Sequence, residues 1–311
     1  MAARPRDPLA AFAPATAAWF RDAFAEPTAA QAGAWSAVSA GENALVVAPT
    51  GSGKTLAAFL WALDGLIREP EPPAKERCRV LYVSPLKALA VDVERNLRAP
   101  LAGIARTAAR LGEPAPSVTV GIRSGDTSAA DRRKLATRPP DIMITTPESL
   151  FLMLTSAARD TLSAVRTVIV DEVHSLAGTK RGAHLALSLE RLRELPGAAP
   201  ERRIQRIGLS ATVRPAERVA WFLGGTEPVT VVAPPARKTW QLQIVVPIED
   251  MSDLQAAAAP DRSPGPSALD DALEPEEQRR PPSIWPHVEN RILDLIEQHR
   301  TTLVFANSRR L

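Results

Sequence analysis

Two groups of residues in this chain have the types and spacing to do chemistry. The first is the run Ala48-Pro49-Thr50-Gly51-Ser52-Gly53-Lys54-Thr55. Ahead of it, Ala44-Leu45-Val46-Val47 reads as a buried strand. Behind it, residues 55–67 read as a helix with Leu56, Phe59, Leu60, Leu63 and Ile67 on one face. Glycines between a strand and a helix let backbone N–H groups converge on phosphate oxygens, and the helix N-terminus favours the anion. Lys54 would neutralise β- and γ-phosphates, and the Thr55 hydroxyl would ligate Mg²⁺. Thr50, Gly51, Ser52, Gly53, Lys54 and Thr55 are the expected phosphate-binding set. A glycine-rich turn that binds nothing is the plain alternative. The Lys-Thr pair in register with strand and helix argues against it.

The second group is Asp171-Glu172-Val173-His174. The β-branched run Thr167-Val168-Ile169-Val170 puts Asp171 at a strand's carboxyl end, where parallel α/β sheets place ligands. Asp171 is expected to hold Mg²⁺, commonly through water. Glu172 is expected to orient or deprotonate an attacking water. Acids often simply end strands, so this pair gains its weight from the phosphate loop upstream. Together they predict binding and hydrolysis of a nucleoside triphosphate, with Lys54, Asp171 and Glu172 as the catalytic set. His174 is either a satisfied polar neighbour or a working part of the site, and the second reading is favoured.

Elements must bring these groups together. Further apolar strands are expected at 80–83, 118–122, 142–145 and 204–209, with helical patterns at 19–40, 87–99 and 182–194. Pro215 is expected to open a helix that ends near Gly224-Gly225. Alternation of strands and helices predicts an α/β fold with a parallel sheet covered on both faces. The first domain is expected over 19–233, after a fraying segment 1–18. Pro234-Pro235 reads as a hinge. Residues 241–246 read as a strand, and 250–283, rich in Pro, Asp, Glu and Ala, as a disordered insertion. An amphipathic helix over 284–299 and a strand from Thr302 to Phe305 follow.

The ordered set of motifs resembles the first motor domain of a superfamily 2 helicase of the DEAD/DEAH-box kind. Pro27-Thr28-Ala29-Ala30-Gln31 is similar to the adenine-recognising Q motif, and Ser84-Pro85-Leu86-Lys87-Ala88-Leu89 to motif Ia. Ser124-Gly125-Asp126 and Thr145-Thr146-Pro147-Glu148-Ser149-Leu150 resemble the next nucleic-acid-facing motifs. Asp171 to His174 matches motif II, and Ser210-Ala211-Thr212 motif III. Leu303-Val304-Phe305-Ala306-Asn307-Ser308-Arg309-Arg310 resembles motif IV, which opens a second motor domain. Each tripeptide alone is weak; the order over nearly the whole chain is specific. The resemblance implies a RecA-like phosphate-loop domain followed by the start of a second one. It also implies ATP on Gln31 and the phosphate loop, Mg²⁺ on Thr55 and Asp171, and coupling through His174, Ser210 and Thr212.

Finer detail, in 48–61, 207–215, 246–251 and 301–310, is similar to the Lhr (large helicase-related) branch. That branch implies a motor tracking 3′ to 5′ on single-stranded DNA, opening duplexes including RNA–DNA hybrids, in DNA repair. It implies a monomeric motor in the bacterial cytoplasm, working at the nucleoid. Lys87, Arg123, Gly125, Thr146 and Pro147 are then the expected nucleic-acid contacts. Such donors position a phosphate backbone without reading its sequence. Arg132, Arg133 and Lys134 read equally as further contacts or as a solvated helix start. Base-stacking aromatics are not evident in these motifs, and most of the six tryptophans are expected to pack in the core.

Composition narrows the field. With 311 residues the chain can bury a sizeable core. A formal net charge of +3 leaves any basic track local. The one cysteine, Cys78, excludes an internal disulfide, suits a reducing compartment, and reads as buried and inert. No apolar stretch has transmembrane length, and the start lacks a secretory h-region. In the family, motifs V and VI and their arginine finger lie further along a second domain. A missing finger costs roughly 10³–10⁵ in rate. The 311-residue chain is therefore expected to be an N-terminal part that binds ATP weakly and unwinds nothing. Two alternatives are a non-catalytic remnant that binds ATP and nucleic acid, and a phosphate-loop ATPase acting on something other than nucleic acid.

Overall fold

The computed structural model describes residues 7–195, 203–235, 241–246 and 284–305. Inter-residue contacts divide the chain into one unit, Met1–Arg237, and a second, Lys238–Leu311. The first unit is built on seven strands: β1 (Asn43–Val47), β2 (Val80–Val83), β3 (Val120–Arg123), β4 (Ile142–Thr145), β5 (Thr167–Val170), β6 (Gln205–Ser210) and β7 (Val229–Val232). They form one sheet in the order β3-β4-β2-β5-β6-β1-β7, and every pairing is parallel.

Strands β2, β4 and β5 are almost wholly apolar because both faces of the sheet are covered. Ala44 and Val46 join Tyr82, Ile144 and Ile207 in one core. Their neighbours Leu45 and Val47 join Leu81, Met143 and Val170 in another. The period of two along each strand sends alternate side chains to opposite faces. Helices α1 (Pro14–Ala23), α2 (Ala29–Ser39), α3 (Lys54–Arg68) and α4 (Lys87–Arg110) cover the first face. Helices α6 (Pro147–Leu154), α7 (Val173–Leu176), α8 (Lys180–Arg193) and α9 (Ala216–Gly224) cover the second, and α5 (Ala129–Thr137) follows β3. Buried Arg206 on β6 binds Glu190 at 2.9 Å and the carbonyls of Leu223 and Gly224 at 3.1 and 3.3 Å. A cation there satisfies the carbonyls left open at the end of α9.

Several expectations are corrected. Residues 7–18 do not fray: Leu9 and Phe12 are buried, and Phe12 meets Trp35 edge-on at 4.9 Å. The N–H of Ala13 donates to Asp64 at 2.9 Å, which fixes this segment against α3. Its alanines and prolines carry no periodicity, so its anchoring was invisible in the sequence. The helix expected over 19–40 is two helices, because Pro27 disfavours helix before it and Thr28 starts a new one. Thr28 and Gln31 form a reciprocal capping box. Helix α4 continues past the expected stop at Ala99, through buried Pro100, as Ile104 and Ala108 extend its apolar stripe.

In the second unit, α10 (Trp285–Gln298) forms with Pro286 in its first turn. Residues 241–246 and 301–305 are not strands. A strand exists through its ladder, and neither segment has a paired neighbour among the described residues. The proposed insertion 250–283 and the motif IV residues Ala306 to Arg310 lie outside the described residues. No helix among the described residues is long and apolar enough to cross a membrane.

Candidate nucleotide site and nucleic-acid face

The strand order explains the site. β6 lies between β1 and β5, so the turns after these three strands emerge side by side at the sheet's carboxyl edge. The phosphate loop follows β1, Asp171 and Glu172 follow β5, and Ser210 ends β6. The N–H of Ala48 donates to the Ser210 carbonyl at 3.1 Å, tying loop root to β6. Gly51 and Gly53 have φ of +83° and +77°, a region that suits glycine and lets the loop curl back on α3. Thr50, Gly51, Gly53, Lys54 and Thr55 line a cavity of about 460 Å³ together with Asp171 and Glu172. Lys54 is buried at the first position of α3.

Two expected ligands, Ser52 and Gln31, do not line this cavity and bond the loop itself. Ser52 bonds Pro49 and accepts from the Thr28 hydroxyl at 2.8 Å through its carbonyl. Gln31 donates from Nε2 to the Gly53 carbonyl at 3.3 Å and accepts the Thr28 N–H on Oε1 at 2.9 Å. Both polar atoms of Gln31 are thus engaged with the loop and its own helix start. The structure adds wall residues that sequence reasoning missed. Asp92 and Asn96, one turn apart on α4, face the cavity, and so does Phe59 of α3.

Asp171 is held on both carboxylate oxygens. The buried Tyr82 hydroxyl donates to Oδ2 at 2.5 Å, and the Glu172 N–H donates to Oδ1 at 2.9 Å. Burial, and then the charge of Asp171, push the Tyr82 phenol far up, so it stays a donor. Glu172 has φ +45° and ψ +43°. Among the described residues it is the one non-glycine residue with positive φ. Left-handed backbone costs a non-glycine residue about 1–3 kcal/mol and clusters at functional sites.

His174 joins two motifs. Its Nδ1 accepts the Ala211 N–H at 3.3 Å and lies 3.3 Å from the Ser210 hydroxyl. That donor assigns the neutral ring's proton to Nε2. The Glu172 carboxylate stands 3.4 Å from the same Nδ1. The expected bond from Thr212 is absent: Thr212 is exposed, and its hydroxyl bonds none of Asp171, Glu172 or His174. The link runs through the Ala211 backbone and Ser210 instead.

A hydroxyl from Thr55 and a carboxylate from Asp171 lining one cavity suit a hard, oxygen-seeking divalent cation. No cluster of three or more His, Cys, Asp or Glu ligands exists among the described residues. A cation here would complete its shell with phosphate oxygens and water, as Mg²⁺ commonly does.

The expected nucleic-acid residues fall on the β2–β4 side of the sheet edge. Lys87 opens α4 and pairs with Asp126 at 2.6 Å, both exposed. Arg123 ends β3 half-buried. The Gly125 carbonyl accepts from Arg132 at 2.8 Å, so Arg132 locks this loop rather than standing solvated. Arg133 and Lys134 are exposed on α5. Thr146 is buried and caps α6 through Ser149, and Pro147 is the first residue of that helix. Any contact Thr146 makes to a strand therefore falls to its backbone. Arg181 was missed. It binds Glu148 at 2.6 Å and the Pro85 carbonyl at 2.9 Å, and so ties two of these loops together. Of the tryptophans, Trp35 is buried and Trp19 and Trp61 pack on the core, whereas Trp221 is 78% exposed. Trp240 lies outside the described residues.

A parallel sheet with phosphate loop, strand-end acids and a histidine link at one edge is the arrangement of a RecA-like phosphate-loop domain. Residues 28–219 match the DEAD/DEAH box helicase family, and the chain belongs to that family. Its relatives include an Lhr helicase of Mycolicibacterium smegmatis, 59% identical across 98% of this chain and 18% of that protein. They also include the Lhr helicase/uracil glycosylase of Escherichia coli, 54% identical across 96% of this chain and 19% of that protein. The chain thus spans about a fifth of the length of these curated relatives. A solved structure of Mycobacterium smegmatis helicase Lhr bound to ssDNA and AMP-PNP superposes with a TM-score of 0.75. It is 59% identical, covering 98% of this chain and 35% of that one. The first unit is accordingly a RecA-like domain.

Proposed function

We propose that this chain carries the ATP-binding wall of a nucleic-acid helicase motor that moves on single-stranded DNA. One observation carries the reading: three adjacent strand ends bring Lys54, Thr55, Asp171 and Glu172 into a single cavity, with His174 and Ser210 behind it. A relative of 59% identity solved with ssDNA and AMP-PNP supports both ligands. Lys54 neutralises the phosphates, and Glu172 takes the proton of the attacking water. Thr55 and Asp171 hold Mg²⁺, which supplies charge neutralisation and phosphate orientation when bound. Ser210 and the Ala211 N–H, through His174, pass the state of the acids to β6.

On the face beside it, Lys87, Arg123 and the loops of Gly125 and Thr146-Pro147 hold a phosphate backbone without reading bases. The finer reading follows the motif resemblance to the Lhr branch: 3′ to 5′ movement, opening of duplexes including RNA–DNA hybrids, and work in DNA repair at the bacterial nucleoid. The motor is monomeric, and its second wall, with the arginine finger, comes from a second RecA-like domain beginning after the hinge at 234. The 311-residue chain by itself then binds ATP weakly and does not unwind.

Steady-state ATP hydrolysis by the full-length protein, with and without single-stranded DNA or RNA, tests this reading. Strong stimulation by one polymer is expected. Lys54→Ala should lower the stimulated rate by about 10²–10³, the usual effect of deleting one preorganised donor. Hydrolysis indifferent to both polymers would point to an ATPase with another substrate. Salt-dependent DNA binding without hydrolysis would point to a remnant.

A further inference from the structure

Tyr82 lies in the middle of β2 and is fully buried. It belongs to the apolar run Val80-Leu81-Tyr82-Val83, and its ring fills the first core. Its hydroxyl, however, reaches Oδ2 of Asp171 at 2.5 Å. Register accounts for this reach: Tyr82 is paired with Ile169 of β5, and Asp171 follows two residues later, just past the end of that strand. The ring also stacks on Phe59, with centroids 4.9 Å apart and planes at 22°. Phe59 sits one helical turn after Thr55 on α3, on the same face. One side chain therefore touches both the helix that carries the phosphate-loop hydroxyl and the carboxylate across the cavity.

Resting on the reading above, we infer that Tyr82 is a positioning residue: its buried hydroxyl fixes the Asp171 carboxylate in the orientation that receives a divalent cation. The terminal torsion of an aspartate is broad and two-fold, so nothing intrinsic to Asp171 selects an orientation. The Glu172 N–H pins Oδ1 only, and from the adjacent residue. The Tyr82 bond removes the remaining rotation and leaves the outward lone pairs facing the cavity. Partners that orient a metal ligand are typically worth 10–100-fold in metal affinity.

The test is binding of a fluorescent ATP analogue, methylanthraniloyl-ATP, to the whole chain over a titration of Mg²⁺. In Tyr82→Phe the ring and its stack on Phe59 remain. Affinity in EDTA should stay unchanged while the Mg²⁺ midpoint rises about 10–100-fold. Combined with Asp171→Ala, the same change should add no further shift, because the hydroxyl acts through that carboxylate. An unshifted midpoint in Tyr82→Phe, or equal shifts with and without Asp171, would overturn the assignment. A wild-type chain that binds no nucleotide would overturn the ATP reading as well, which separates the two failures.

The wild type gives a second readout that needs no variant. Tyr82 is the one tyrosine of the chain, so ¹³C labelling of only the hydroxyl-bearing ζ ring carbon yields a single resonance. It should move when Mg²⁺ joins the bound nucleotide; a resonance that stays in place would count against the inference.

Discussion

Glu172→Gln binds nucleotide as the wild type does and does not turn it over. Glutamine keeps the length and shape of the side chain, and its backbone accepts the same left-handed geometry no less easily than glutamate's. The N–H of residue 172 still donates to Asp171, so the carboxylate proposed to receive the cation is undisturbed. What disappears is the proton acceptor in the cavity beside Lys54. General-base catalysis contributes roughly 10²–10⁴ in rate, so single-strand-stimulated hydrolysis should fall by about that factor. Affinity for a fluorescent ATP analogue should change less than about threefold. Unchanged turnover would remove Glu172 from the chemistry; lost binding would make it a ligand instead of a base.

The largest expected effect on stability lies at Asp141, just before β4. Buried among three strand starts, it accepts from Arg77 at 2.9 Å, from Arg79 at 3.4 Å, and from both the N–H and the hydroxyl of Thr119 at 2.8 and 2.7 Å. One carboxylate thus registers the entries to β2, β3 and β4. Removing one partner of a buried ion pair costs about 3–5 kcal/mol, because the remaining charge is left uncompensated. Asp141→Ala should lower the denaturant midpoint accordingly, and Asp141→Asn by less.

The same residue sets an acid limit. Burial alone would raise the Asp141 pKa, but the Arg77 guanidinium and the Thr119 hydroxyl and N–H outweigh it, and the net shift is downward from 3.8. A group depressed on folding contributes stability that is present above its unfolded pKa and lost as pH falls through the folded value. Wild-type melting temperature should therefore drop steeply below about pH 4. Asp141→Asn should flatten that limb. An equally steep limb in the variant would assign the acid sensitivity elsewhere. Cys78, close by, is buried and its thiol is pushed up to about 12, which accords with an inert core residue.

How much of this was legible depended on what each residue type reveals at a distance. The phosphate loop was, because glycines and a Lys-Thr pair between strand and helix serve few other purposes. The sheet was too, since buried parallel strands write themselves as apolar runs. Tyr82 was not: in such a run a tyrosine reads as bulk, and only strand register shows that its hydroxyl meets Asp171. Gln31 looked like a free recognition group, but Thr28 three residues earlier was the sign of a capping box that engages it. Thr212 was assigned from the motif III resemblance, but β6 ends at Ser210 and Thr212 lies exposed beyond it. Arg181 carried one hint, a basic pair just after the acidic motif, yet its partners Glu148 and Pro85 are distant in sequence. Segments 241–246 and 301–305 have strand composition without a ladder partner among the described residues, which composition alone does not report.

The left-handed backbone at Glu172 sets heat resistance and turnover against each other. Asparagine occupies that conformation more readily than glutamate. Glu172→Asn should therefore melt above the wild type by the part of the roughly 1–3 kcal/mol of strain it relieves, while hydrolysing nothing. Calorimetry on the two proteins would show it; a variant that melts no higher would mean that the conformation is held without strain. Selection for thermal survival alone, in the laboratory or in a genome, would then drift toward an inert protein at this position.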